Sequence, residues 1–274
     1  MASLLAMKDG PDGARVEYVI GGQDLTGGVR EQVAQLLADD AMCIRCGRST
    51  TLDEWRKRRD GCPPPERSRK GIAVYAGIGF GLPDKPAKED HLQGLVAELL
   101  WGRLMSERLV CRDGRRLVRA HSVKPDPLEP GGDGLVIYEV EGGTLVFRLW
   151  EIKKHDAKKS ISATIGRASK QLSSRGQEYL AKLAGPETVD QGGRLGDFYA
   201  DLVELWLDGS NQAGAGVSIG TSKEYAPTRP LSFRSIATQF PHFIQPGQIE
   251  SIVVAVPDFP AFAVRVREIV WSGL

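Results

Sequence analysis

The amino-acid sequence predicts an α/β protein built on a small mixed sheet flanked by helices, with elaborations at both ends. Three observations carry that expectation. Leu92, Leu95, Val96, Leu99, Leu100 and Leu104 recur at helical spacing between Asp90 and about Leu109. Two apolar runs, LVIYEV and TLVFRLW, are split by Glu141-Gly142-Gly143 and read as a hairpin over 134–153. A second helical pattern follows over 161–183, and a β-branched run, SIVVAV, is closed by Pro257. With 41% hydrophobic residues in 274, the chain has enough apolar material for a sizeable core.

The elements follow in order. Residues 1–14 show no clear pattern. RVEYVI at 15–20 reads as a strand and 28–39 as a short helix. Residues 47–70 are basic, polar and proline-containing, and read as irregular apart from a turn of helix around TLDEWRKRR. GIAVYAGIGFG at 71–81 reads as a strand. After the helix from Asp90 comes a strand over 117–123, a proline-rich loop, and the hairpin. Ile161, Ile165, Ala168 and Leu172 mark the next helix, 202–207 extends a further one, and GAGVSIG at 214–220 is a small strand. Pro260 stands at the start of a terminal helix, AFAVRVREIVW. This order suggests an N-terminal region, 1–88, and a core domain, 89–274, with a C-terminal α/β extension.

Whole-chain charge is uninformative, since the formal net charge is only +1. Local charge is more telling: residues 152–175 carry seven Lys or Arg against one Asp. No apolar run approaches the roughly 18 residues that a membrane span needs, and no basic segment precedes an apolar core at the N-terminus. A membrane partner and a secretory signal are therefore not expected, and a cytoplasmic location is. Four cysteines in a chain of this length do not suggest a disulfide framework.

The chemistry concentrates in the hairpin. Strand side chains alternate, so Glu151 and Lys153 share one face while Trp150 and Ile152 point the other way with Val146. Asp133 opens the first strand, and a hairpin places that start beside the end of the second. Its neighbours Gly131, Gly132 and Gly134 leave room for backbone or a phosphate to approach. Two carboxylates at one rim suit Mg²⁺ or Mn²⁺, hard cations that keep open positions for water and phosphate oxygens. Such an ion neutralises charge developing on a phosphoryl group, and Lys153 would orient the nucleophile or add electrostatic stabilisation. Glu98 is the candidate third acid, on a helix where Gly94 and Gly102 bracket it and invite close packing. The plainer readings are a turn aspartate at 133, a solvated strand end at 151–153, and a surface glutamate near Arg103 or Lys88. Downstream, Gln171 could reach water or phosphate, and Lys154, Lys158, Arg167 and Lys170 could follow a nucleic acid backbone without reading its sequence.

This set of residues resembles the PD-(D/E)xK superfamily, the restriction-endonuclease-like nucleases. There a helix often supplies a glutamate, a strand an aspartate, and the next strand Glu/Asp-x-Lys; the matching positions here are Glu98, Asp133, Glu151 and Lys153. Gly132 stands where the literal motif has proline. The resemblance spans about residues 90–183 and implies a restriction-endonuclease-like core and metal-dependent hydrolysis of DNA. GLVAELLW, GGDGLVI and LWEIKKHDAKKSI also look like the nuclease subunits of bacterial anti-phage defence systems of the Hachiman type. That likeness implies a helicase or ATPase partner, and the chain itself has no GxxxxGK[ST] motif. A homodimer would fit cleavage of two strands. The competing reading is a catalytically silent, nuclease-like subunit that binds nucleic acid or protein.

Cys43-Ile-Arg-Cys46 has the spacing of half a zinc knuckle, with Cys62 as a third sulfur and Cys111, His91 or His121 as candidate fourth ligands. A structural Zn²⁺ requires four ligands; it would staple the basic 47–70 segment onto the domain. Unpaired thiols are the alternative. His155 either touches phosphate or is an ordinary exposed histidine, and His242 belongs to an aromatic loop.

Overall fold

The computed structural model describes residues 1–11, 14–62, 66–121, 123–124, 132–156 and 159–274, with residues 66 and 67 described by backbone alone. The N-terminal third forms β1 (Lys8–Asp9), β2 (Glu17–Gly21), α1 (Gly27–Cys46), α2 (Thr50–Arg59), α3 (Glu66–Phe80), β3 (Gly81–Leu82) and β4 (Lys85–Pro86). The middle comprises α4 (Glu89–Glu107), β5 (Arg116–Ala120), β6 (Gly134–Glu139), β7 (Leu145–Lys154) and α5 (Ile161–Asp190). The remainder is α6 (Gly193–Leu207), β8 (Ala215–Ser222), α7 (Arg234–Gln239), β9 (Ile249–Val256) and α8 (Phe259–Ser272).

Seven strands join in one mixed sheet of order β1-β2-β9-β8-β7-β6-β5, and β3 and β4 form a separate ribbon. Strands β2, β9, β8 and β7 run parallel, whereas β5, β6 and β7 are antiparallel neighbours. Both faces of the sheet are covered. Helices α1, α4 and α8 share one apolar cluster with Val136, Tyr138, Val146, Trp150 and Ile152. Helices α5, α6 and α7 share the other with Leu135, Ile137, Phe147, Leu149 and Val217. Double coverage is why β8 and β9 are buried along their whole length, with β-branched residues at their centres. The N-terminal region is woven into this sheet through the β2–β9 pairing, and α1 packs against α8.

The middle of the chain folds as its periodicity suggests. The hairpin turns at Gly142 and Gly143, whose φ angles of 83° and 86° suit glycine. Its register pairs Leu135 with Leu149 and Ile137 with Phe147. Two expectations in the first third are corrected. Residues 71–77 continue α3 and do not form a strand; the backbone leaves helical geometry at Ile78 and Gly79, and Gly81 opens β3. Ile72 and Ala76, one helical turn apart, are buried, and Phe80 is buried beyond the break at Ile78 and Gly79. Residues 47–70 hold the whole of α2, a full helix where a turn around TLDEWRKRR was expected, and the start of α3 in a stretch read as irregular. Leu52 and Trp55 anchor α2, and the Trp55 indole donates to the Val270 carbonyl at 2.9 Å. Helix α1 also continues past residue 39 to Cys46, because Ala41 and Met42 extend its buried stripe. No helix among the described residues is long and apolar enough to cross a membrane.

Candidate active site

Antiparallel pairing of β6 with β7 brings Gly134 opposite Trp150. One step beyond that pair, Asp133 faces Glu151 at the end of the sheet where β7 and β8 finish. Leu145, Phe147 and Leu149 pack under α5 and α6, and Glu151 and Lys153 continue that face of β7. Trp150 and Ile152 anchor the strand against α4 on the other face.

Each rim carboxyl has a defined partner. Asp133 Oδ2 accepts from the Ile152 backbone N–H at 2.8 Å and lies 3.8 Å from Lys153 Nζ. Glu151 Oε1 is ion-paired with Lys153 Nζ, while Oε2 is buried with no hydrogen-bond partner. Glu151 is wholly excluded from solvent, at 0% exposure, whereas Lys153 remains about a third exposed at 35%. A buried carboxylate oxygen without a donor is costly.

The electrostatics follow from this crowding. Burial, and then the Asp133 carboxylate beside it, push the Glu151 carboxyl up to about 7. Burial also raises Asp133, against the pull of Lys153 and the Ile152 N–H. Glu98, carried by α4, is pushed up to about 8 by burial first and by Asp133 second. Burial opposes the Lys153 ammonium, yet Asp133 and Glu151 outweigh it and hold its pKa above the ordinary lysine value. Glu98 therefore belongs to the same electrostatic cluster as the rim pair. Among the described residues, however, no group of three or more His, Cys, Asp or Glu side chains is close-set enough to hold a metal ion.

The glycines near the acids serve packing. A Cβ at Gly134 would lie 2.0 Å from the Trp101 ring, and one at Gly132 would lie 2.9 Å from Tyr179 Cβ. They admit these aromatic side chains of α4 and α5, where room for a phosphate was expected. Gly131 lies outside the described residues. Of the two glycines bracketing Glu98, only Gly102 is crowded, by Val123, while Gly94 faces open space.

The remaining candidates divide. Gln171 reaches the site indirectly, donating to the Tyr179 hydroxyl at 2.9 Å, and Tyr179 in turn acts on Lys153. Lys154 points to the opposite face of β7 and is paired with Asp90 and, at 3.3 Å, with Asp156. Arg167 donates to Thr164 Oγ1 at 3.2 Å, Lys170 is exposed, and Lys158 lies outside the described residues. His155 is buried, not exposed: its Nδ1 meets Thr164 Oγ1 at 2.9 Å and its ring packs edge-on to Tyr225. His242 packs among Phe240 and Phe243 as its aromatic surroundings suggest.

The cysteines do not converge. Cys43 and Cys46 lie one turn apart on α1, Cys62 is exposed beyond α2, and Cys111 is buried. Burial pushes the Cys46 thiol up to about 11, away from the thiolate that zinc requires. His121 is engaged by the Tyr199 hydroxyl at 2.7 Å. The described residues bring no four-ligand zinc site together.

Two residues escaped the sequence reading. Lys124 acts on both Glu98 and Asp133, and Tyr179 covers Gly132. Lys124 sits in a proline-rich loop with no periodicity, and Tyr179 is an ordinary apolar position of α5, so neither carried a local signal. No protein-family model and no curated protein sequence matches the chain.

Proposed function

We propose that the protein is a metal-dependent nuclease that hydrolyses phosphodiester bonds in DNA, with Asp133, Glu151 and Lys153 at its centre and Glu98 behind them. The observation that carries this reading is Glu151: fully buried, one oxygen without a donor, beside a second carboxyl and an ammonium. A solvated strand end would not bury that oxygen. The succession α4, β6, β7, α5 also supports the resemblance to the PD-(D/E)xK nucleases and a restriction-endonuclease-like core.

Asp133 Oδ1 and Glu151 Oε2 would hold Mg²⁺ or Mn²⁺, since hard carboxylate oxygens suit those cations. A bound ion supplies charge neutralisation at the phosphoryl group and acidifies water. The chain's own part is positional and electrostatic. The Ile152 N–H and Lys153 each fix one oxygen of the two carboxyls. The partly exposed Lys153 ammonium meets a phosphoryl oxygen entering there and stabilises its growing charge. Gln171 donates to the Tyr179 hydroxyl, and Tyr179 acts on that ammonium. A role in anti-phage defence, a helicase or ATPase partner, and a homodimer rest on resemblance alone.

The test is cleavage of supercoiled plasmid, linear duplex and single strands in Mg²⁺, Mn²⁺ or EDTA, with Asp133→Ala and Lys153→Ala alongside. Metal-dependent cleavage lost in both variants is the expected result. An Asp133→Ala protein that cuts as fast as the parent refutes the assignment. A folded parent that binds metal and cuts nothing favours the silent, nuclease-like binding subunit.

A further inference from the structure

Strand alternation puts Val19 on the same face of β2 as Glu17, and Ile252 on the same face of β9 as Glu250. The register pairs Glu17 with Glu250 and Val19 with Ile252, so the four side chains tile one patch of the sheet. Glu250 is in register with Gly216, and Gly216 with Trp150, so the patch lies on the α4 face and not on the face that carries Glu151. The end of α4 and the turn after it form one wall over the patch, and the segment through Met7 and Asp9 forms the other. Two cavities of 660 and 160 Å³ lie there and adjoin along Asp9, Val19, Arg108 and Arg112.

The two cavities differ in chemistry. The larger is floored by Leu104, Met105 and Ile252, walled by Met7 and Val19, and edged by Val110, which is 62% exposed. Its size falls within the roughly 300–1,000 Å³ of small-molecule sites. The smaller is lined by carboxylates. Glu250 there is answered by Arg108 at 2.8 Å and Arg115 at 2.7 Å, and Asp113 by Arg115 at 2.6 Å. Arg112 donates to the Gly10 carbonyl at 3.5 Å. Glu17 is different. It is half-buried, yet among the described residues it makes no hydrogen bond or ion pair. Burial, then Glu250 and Asp113, raise its pKa against the pull of Arg115 and Arg108, the mark of a carboxyl short of positive charge.

We infer that this groove is a ligand site, separate from the rim, for a small molecule that carries an ammonium group on an apolar body. The ammonium sits at Glu17, with Asp9 lining the same cavity, and supplies the charge-assisted donor that Glu17 lacks. The apolar body fills the larger cavity and displaces water from Met7, Val19 and Val110. An anionic head is disfavoured, because Glu250 and Asp113 already hold the guanidiniums of Arg108 and Arg115, while Glu17 and Asp9 would repel it. A bare metal ion finds no close-set trio of ligands among the described residues and makes no use of the apolar cavity.

The experiment is isothermal titration calorimetry of the full chain with phenylbutylamine, phenylbutanol and phenylpentanoate, which share one apolar body and differ in the charge of the head. The parent, Glu17→Gln and Asp133→Ala are compared, with folding checked by circular dichroism. Glutamine keeps the shape of the half-exposed Glu17 and removes its charge. The parent is expected to bind one amine per chain, and the alcohol and the acid about tenfold or more weaker. Glu17→Gln lowers amine affinity by about tenfold or more, and Asp133→Ala leaves it within about twofold. A folded parent that takes up no amine at millimolar concentration overturns the inference. So does equal affinity for the three compounds, tighter binding of the acid, or a folded Glu17→Gln that binds the amine as the parent does. Loss of the amine in a folded Asp133→Ala places it at the rim and overturns the site as well. Each of these outcomes leaves the nuclease reading as it stood.

Discussion

Replacing Glu151 by glutamine tests the central claim through stability, independently of catalysis. Glutamine keeps the shape of the side chain and mimics its protonated form. In the metal-free protein the Glu151 carboxyl is raised from 4.5 to about 7, a shift that already nets the attraction of Lys153 against burial and Asp133. Below the unfolded value both states carry the proton and the residue adds no penalty. Above the folded value the folded state must carry a buried charge, so the penalty is fully present. At about 1.4 kcal/mol per unit, the shift corresponds to roughly 3 kcal/mol, an upper figure because Asp133 shares the proton. Glu151→Gln is therefore more stable than the parent by about 1–3 kcal/mol near pH 8 in EDTA, and the difference closes near pH 4. Magnesium reverses the order. Binding to the folded parent adds about 2.7 kcal/mol at a hundredfold excess over Kd, and the variant gains less. Urea unfolding followed by tryptophan fluorescence reads both effects, since buried Trp150 adjoins the site. A variant no more stable than the parent near pH 8 without metal refutes the reasoning, as does equal stabilisation of both by magnesium.

Other perturbations probe the surroundings. Glu250 accepts from Arg108 at 2.8 Å and Arg115 at 2.7 Å in a buried cluster with Arg148, so Glu250→Ala strands buried cations and costs about 3–5 kcal/mol by urea unfolding. Burial opposes the Glu250 charge, but Arg115, Arg108 and Arg148 outweigh it and lower its pKa; its contribution is present at neutral pH and lost as pH falls through the folded value, below 4.5, in an acid titration of stability. Gly134→Ala drives a methyl into the Trp101 ring, lowering stability by about 1–3 kcal/mol in thermal melts and reducing plasmid nicking by displacing Asp133. Lys154→Ala leaves nicking within about threefold of the parent, because its ammonium serves Asp90 and Asp156 and not the rim; a loss matching that of Lys153→Ala contradicts that orientation.

The sequence by itself determined the elements whose side chains repeat at one clear period. Helix α4 showed its Leu and Val positions at three- and four-residue spacing, and the β6–β7 hairpin showed two apolar runs about a glycine pair. Alternation along β7 was enough to place Glu151 and Lys153 on one face and Trp150 and Ile152 on the other. The first third was less legible. In α3 the buried residues Ile72 and Ala76 stand in a run whose Val74, Tyr75, Gly77 and Gly79 read as a glycine-containing strand, and packing against neighbouring helices settles the helix. In α2 a single buried face of Leu52 and Trp55 outweighs a run of arginines.

Only the tertiary structure decided what depends on residues far apart in the chain. Cysteine spacing suggested zinc, but a helical backbone places Cys43 and Cys46 on α1 without bringing Cys62 to them. The glycines beside Asp133 looked like room for a phosphate until the side chains of Trp101 and Tyr179 filled it. Lys154 was a candidate to follow a nucleic acid backbone, yet it is paired with Asp90 on the opposite face of β7. Burial of Glu151 Oε2 has no sequence signal at all. It arises because β7, β6 and the helices on both faces remove water from one oxygen together, and desolvation depends on everything that surrounds an atom.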